Sequence, residues 1–138
     1  MLIPKPVYDE VVKSGAGLPG SKELATASWC QLVVPPANSV IALQTELPQL
    51  GTGEVSAIAY ALEHHADLVM MDDLAARRAA QRRGLTVKGT MGLLVEAKSK
   101  GQLALIGPVI QELLDAGAWL DSALTKETLR LAGESDKK

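Results

Sequence analysis

The segment from Ala66 to Val87, ADLVMMDDLAARRAAQRRGLTV, constrains the fold of this chain more than any other. An apolar run, Leu68-Val69-Met70-Met71, ends abruptly at Asp72 and Asp73, and a helix-forming stretch with Arg77, Arg78, Arg82 and Arg83 follows at once. Strand, acidic pair, basic helix is the order in which an α/β protein sets carboxylates at the carboxyl end of a buried strand. Open α/β sheets keep their ligand sites there. Two carboxylates on one short turn repel each other, so one resists ionising unless a cation neutralises them. A divalent metal is the simplest such cation.

The remaining segments support the same class. Leu2-Ile3 reads as a strand stub stopped by Pro4, and Pro6 suits the first turn of a helix through VYDEVVKS. Val7, Val11 and Val12 make only a rough apolar stripe along that helix. Ser21 reads as the cap of a short helix, KELATASW, followed by a strand at Gln31–Val34 that Pro35-Pro36 ends. Asn38 to Glu46 reads as a helix. GTGE at 51–54 opens the clearest helix, with Val55, Ile58, Ala59 and Leu62 at the spacing of a buried stripe, and His64-His65 mark its end. Strand 68–71, helix 73–83, a C-cap at Gly84 and a short strand 85–87 follow. Gly89 to Lys98, Ile106 to Ala116 and Lys126 to Ala132 complete the helices, and the tail from Glu134 reads as frayed. Strands alternating with helices predict a parallel sheet with helices packed on it.

At 138 residues the chain suits one domain with a real core. Its 47% hydrophobic and 22% charged residues are those of an ordinary soluble globular protein. No apolar stretch approaches a membrane span, and the N-terminus lacks the features of a signal peptide. Cys30 is the single cysteine and has no metal-ligand spacing around it. These features predict a cytoplasmic protein with no membrane partner. Between Asp72 and Lys100 stand seven of the 14 Lys and Arg residues against three acids, Asp72, Asp73 and Glu96. Such a local positive field suits a polyanionic partner, although on charge alone a solvated helix face is the favoured explanation.

Glu10, Glu54, Asp72 and Asp73 are the candidate site acids. In a parallel, doubly wound sheet their helix starts and strand ends point toward one edge. A cluster of such acids is costly when empty and stable around Mg²⁺ or Mn²⁺, which prefer carboxylate and water oxygens. Such ions activate water and stabilise the leaving oxygen in phosphodiester hydrolysis. Each acid also has a structural explanation: Glu54 favours a helix dipole, Asp73 is a good N-cap or an i, i+4 partner of Arg77, and Glu10 suits an exposed helix face. His64 and His65 diverge on a helix and do not suit one metal ion. Trp29 and Trp119 read as core or edge packing, and Gly51-x-Gly53 is too short for a nucleotide fingerprint.

The succession IPKPVYDEV, GTGEVSAIAYAL, ADLVMMDDLAARRAAQRRGL and VKGTMGLLVEAKSKG resembles the PIN-like proteins, predicted nucleic acid-binding relatives of the VapC-type toxin nucleases. The resemblance runs from about Leu2 to Glu134. It implies a single α/β domain over 1–134, three-layered, with a central parallel sheet flanked by helices and a disordered tail at 135–138. It implies a metal-dependent ribonuclease holding Mg²⁺ or Mn²⁺, with RNA as substrate and an antitoxin protein as partner. Carried over by position, Glu10, Glu54, Asp72 and Asp73 are the catalytic acids, the last three being metal ligands. Arg77 orients Asp73 or meets a phosphate, Arg78, Arg82 and Arg83 help hold RNA, and Thr90 caps a helix near the site. Relative to the family, the opening strand and its aspartate are missing. A sheet without its first strand exposes edges and apolar faces, which predicts homo-oligomerisation. It also gives an alternative function, a catalytically impaired module that binds nucleic acid or protein.

Overall fold

The computed structural model describes residues 1–118 and 120–134, so the expectations for Trp119 and for the tail over 135–138 lie outside the described residues. The chain is mixed α/β, with eight α-helices and four short strands among the described residues. It divides into two compact units, Met1–Val87 and Lys88–Lys138. No helix among the described residues is long and apolar enough to cross a membrane.

In the first unit, β1 (Leu2–Pro4) runs parallel to β2 (Gln31–Val33), with Leu2 opposite Gln31, Ile3 opposite Leu32 and Pro4 opposite Val33. Ile3 and Val33 are the buried members of this pair. Proline cannot donate to a ladder, and Pro4 accordingly closes its strand and starts α1 (Lys5–Asp9) as N-cap. From Glu10 to Ser14 the same helix becomes π-helical. Its i→i+5 pattern accounts for the irregular valine stripe, because Val7, Val11 and Val12 are spaced by four and five residues and all three are half-buried.

The short α2 (Ser21–Ala25) begins differently from expectation. Gly20, at φ 94°, is its N-cap, and Ser21 is the first helical residue, its Oγ donating to Leu18 O at 2.8 Å. Next come α3 (Ala37–Glu46), α4 (Thr52–His64), β3 (Val69–Met70), α5 (Leu74–Arg82) and β4 (Val87–Lys88). The core joins Leu43, Leu47 and Leu50 to Val55, Ile58 and Ala59 of α4 and to Ala76, Ala79 and Ala80 of α5. Burying side chains such as Val55 and Ile58, both fully inaccessible, contributes about 1.5–3 kcal/mol each. Small residues on the inner face of α5 let that helix pack closely while Arg78 and Arg82 stay outside.

A glycine at C′ ends α5 as expected. Gly84 takes φ 84°, its N–H donates to Gln81 O at 3.0 Å, and Leu85 N–H donates to Ala80 O at 3.1 Å. This is the Schellman pattern, and it needs a left-handed residue at that point.

The strands pair in twos, β1 with β2 and β3 with β4. The strand before the acidic pair is also shorter and more open than its apolar run suggests. Val69 is buried and its N–H donates to Thr86 O at 2.9 Å, whereas Leu68 and Met70 are each 40% exposed. A two-residue strand with one hydrogen-bonded neighbour leaves alternate side chains uncovered.

In the second unit, α6 (Thr90–Ser99), α7 (Gly107–Asp115) and α8 (Ser122–Leu131) enclose a separate core of Met91, Leu94, Ile106 and Ile110. The last helix starts four residues before the expected Lys126, because Asp121 caps it by accepting Leu124 N–H at 2.8 Å. Glu134, expected in a frayed tail, is instead docked on this unit through its carboxylate.

Candidate active site

The site is built on the first turn of α4. Gly51 is the N-cap, in extended backbone, and it offers no side-chain cap to the helix. The first amide N–H groups of any α-helix lack intrahelical partners, and the helix start carries partial positive charge. Two carboxylates come to this turn. Glu54 stands in it, so close to Gly51 that a Cβ at position 51 would lie 2.6 Å from Glu54 Oε2. Glu10 arrives from the π-helical continuation of α1 and lies against Gly53, where a Cβ would meet Glu10 Oε1 at 2.7 Å and Oε2 at 3.2 Å. The two glycines are therefore a cradle: each leaves open the space that one carboxylate fills.

The approach of Glu10 has a second local cause. Glu10 is the residue at which α1 widens into its π-helical stretch. Such stretches are rare and recur at functional sites, where they re-aim side chains.

Asp72 and Asp73 follow β3, and both are exposed. Asp73 caps α5, with Oδ2 accepting Ala76 N–H at 2.9 Å and its carbonyl oxygen accepting Arg77 N–H at 2.9 Å. Its structural function can be separated from any chemical one. Asp73→Ala should cost about 1 kcal/mol, whereas Asp73→Asn, an equally good cap, should leave stability unchanged. Urea denaturation of both variants checks this. Equal losses in the two would mean that the cap contributes nothing.

The arginines divide by environment. Arg77 is half-buried, forms no ion pair among the described residues, and has a buried Nε without a hydrogen-bond partner. Arg78 and Arg82, one turn apart, are exposed and form no ion pair among the described residues. Arg83 belongs to the fold: Nη2 pairs with Glu46 Oε2 at 2.8 Å, and Nη1 donates to Ala79 O at 3.2 Å. Thr90 is the first residue of α6, in the second unit, and Gly89 is the N-cap there. The capping expected of Thr90 thus falls one residue earlier.

His64 stacks on Tyr60 with ring centroids 4.2 Å apart, and His65 adopts left-handed backbone at the helix end. Among the described residues no group of three or more His, Cys, Asp or Glu could hold a metal ion. What the fold brings to one turn is the pair Glu10 and Glu54. The sequence signal for it was Gly-x-Gly-Glu at a helix start, legible once the glycines are read as room for carboxylates.

Compared with known families, the chain matches over residues 1–134 a family model described as a PIN domain. No curated protein and no solved structure matches it.

Proposed function

The chain belongs to the PIN domain family, and from that premise we propose that it is a cytoplasmic endoribonuclease dependent on Mg²⁺ or Mn²⁺. Nuclease-type function and dependence on a divalent metal are general properties of PIN domains. The observation that carries the reading is the meeting of Glu10 and Glu54 on the Gly51–Gly53 turn.

That donor set fits the proposed ion. It is made of hard carboxylate oxygens, and Mg²⁺ is commonly held by one or two carboxylates plus substrate phosphates while keeping several waters. Glu10 and Glu54 would hold it, with Asp72 and Asp73 as further acids by their position after β3. When bound, such an ion polarises phosphoryl oxygens as a Lewis acid. The uncapped start of α4 favours a phosphate nearby. Arg78 and Arg82 offer charges for the RNA backbone, and Arg77 offers unused donor capacity. Arg83, engaged with Glu46, contributes least.

Conservative replacement tests the pair. Glu10→Gln and Glu54→Gln should each reduce Mn²⁺-dependent cleavage of single-stranded RNA by about a hundredfold or more, the effect of groups acting directly at the reacting centre. Melting temperatures should be unchanged. Full cleavage by Glu10→Gln overturns the assignment.

A second reading, a module that binds RNA without cleaving it, is favoured by one observation: the described residues gather no set of three metal-ligating side chains. Calorimetric titration with Mn²⁺ separates the two. Absence of both heat and cleavage, with RNA still bound, is the result expected of the module.

A further inference from the structure

Leu24 to Thr45 is the longest stretch of the chain without Asp, Glu, Lys, Arg or His, 22 residues in a sequence that is 22% charged. A run so free of charge ordinarily lies inside a protein. Here much of it faces water. Trp29, expected in core or edge packing, is 66% exposed, Val34 is 72% and Ile41 64% exposed, and Leu32 is nearly half exposed. Leu32 and Val34, two residues apart where the chain leaves β2, share one side of it. Val34 and Ile41 line one groove, and Met1 N donates to Trp29 O at 3.0 Å, which brings Met1 and Leu2 to the other end. These six side chains together leave on the order of 600 Å² in water, as much as the largest apolar patch of a typical monomer and close to the share each partner gives to a stable interface. The charged groups that border the patch at the groove, Lys5 and Asp9, pair with each other at 2.7 Å. Among the described residues β2 has β1 as its one hydrogen-bonded neighbour. Gln31 N–H turns inward to Met1 O at 2.8 Å, so the N–H and C=O of Leu32 point to the free edge. Soluble proteins guard such edges with charged side chains, and β2 carries none.

We propose that this face binds a second copy of the chain, β2 pairing antiparallel with β2 across a two-fold axis near Leu32. Such an axis sets a patch against itself, so charges close to it meet like charges. A charge-free patch is self-complementary without that penalty, whereas an acidic or basic partner finds nothing here to pair with. In the dimer Leu32 N–H of each copy donates to Leu32 O of the other, the reciprocal pair of an antiparallel ladder. Trp29, Val34 and Ile41 leave water along both sides of the axis, and a tryptophan of this kind is a usual anchor of an interface. Pro35-Pro36 stop the edge just after Val34, so pairing is short, and the two-fold axis uses the edge completely. Assembly therefore closes at two copies. The inference is independent of the RNA reading above.

The test is sedimentation velocity of the full chain from about 1 to 100 µM, the range in which an interface of this size should assemble. The expected result is a dimer with no larger species. Raising NaCl to about 0.5 M should leave it intact, because no ion pair holds it. Leu32→Lys and Val34→Lys place like charges at the axis and should each give monomers with the parental circular dichroism. Trp29→Ala should raise the dimer dissociation constant by about tenfold or more. In Trp119→Phe, whose remaining tryptophan is Trp29, emission should move to shorter wavelength as concentration rises. A monomer throughout the range overturns the proposal and leaves the face to a different protein. A dimer that survives both lysine variants, dissolves in salt, or keeps the emission of an exposed Trp29 uses another surface and overturns it equally.

Discussion

Glu134→Ala should lower the melting temperature of the chain by on the order of 10 °C and strip exchange protection from the Ile106 and Gly107 amides. One carboxylate satisfies four donor contacts. Its Oε2 accepts Ile106 N–H at 2.9 Å and Lys98 Nζ at 2.7 Å, and its Oε1 accepts Ile106 N–H at 3.2 Å and Gly107 N–H at 3.0 Å. Lys98 donates also to Ala132 O at 2.7 Å, so the latch ties α6, the start of α7 and the end of α8 together around the core of the second unit. An N-terminal carboxylate of this kind favours α7 through both its amides and its dipole. Alanine leaves the Ile106 and Gly107 amides without a partner and Lys98 with only Ala132 O, and an unmade hydrogen bond at a buried donor costs more than a made one contributes. Glu134→Gln keeps an oxygen acceptor and loses the charge, so it should fall between the two. Parental melting in Glu134→Ala would refute the latch.

The same contacts set an acid limit. The Ile106 amide and then the Lys98 ammonium bring the Glu134 carboxyl down to about 2 from 4.5, and Lys100 with Lys88 brings Glu96 to about 2. Both groups have folded values below their unfolded ones. The stability they contribute is therefore fully present above about pH 4.5 and is lost as pH falls toward 2. Glu96, a third exposed, contributes the smaller share because solvent screens it. Acid unfolding in Glu134→Gln should accordingly be shallower over that window.

Local chemistry was legible where it depended on neighbours along the chain. The Asp73 cap, the Gly84 C′ residue, the apolar stripe of α4 and the two-histidine helix end all follow from residues within one turn. The α/β class followed from alternation, and the motif succession pointed to the family that the comparison shows. Three things were not legible, each for a long-range reason. Glu134 caps a helix 28 residues earlier, a pairing without a periodic signal. The apolar run before Asp72 predicts burial, but how much is buried depends on how many strands flank it, and β3 has one hydrogen-bonded neighbour. The contact of Glu10 with Gly53 joins residues far apart in the chain, through a helix whose widening shows only as uneven valine spacing.

Gly53→Ala should separate activity from stability. Gly53 lies in the second position of α4, where alanine takes the helical backbone without strain and is intrinsically favoured over glycine by up to about 1 kcal/mol. The new methyl would stand 2.7 Å from Glu10 Oε1, a distance that cannot persist. What must yield is the end of a flexible side chain, so the fold accommodates the change cheaply while the site loses the carboxylate from its turn. The expected outcome is an equal or higher melting temperature with RNA cleavage reduced by about tenfold or more, a cost typical of misplacing a group at a reacting centre. Gly51→Ala offers the contrast. It displaces Glu54, whose Oε2 lies 2.6 Å from the new Cβ, but it also replaces a tolerated N-cap with a poor one and should lose up to about 1 kcal/mol. Coupling supplies the decisive measurement. If the methyl acts by moving Glu10, adding Gly53→Ala to Glu10→Gln should cost little further activity, because the two changes remove one interaction. Full additivity in that cycle, or undiminished cleavage by Gly53→Ala alone, would mean that the glycine cradle has no part in the chemistry.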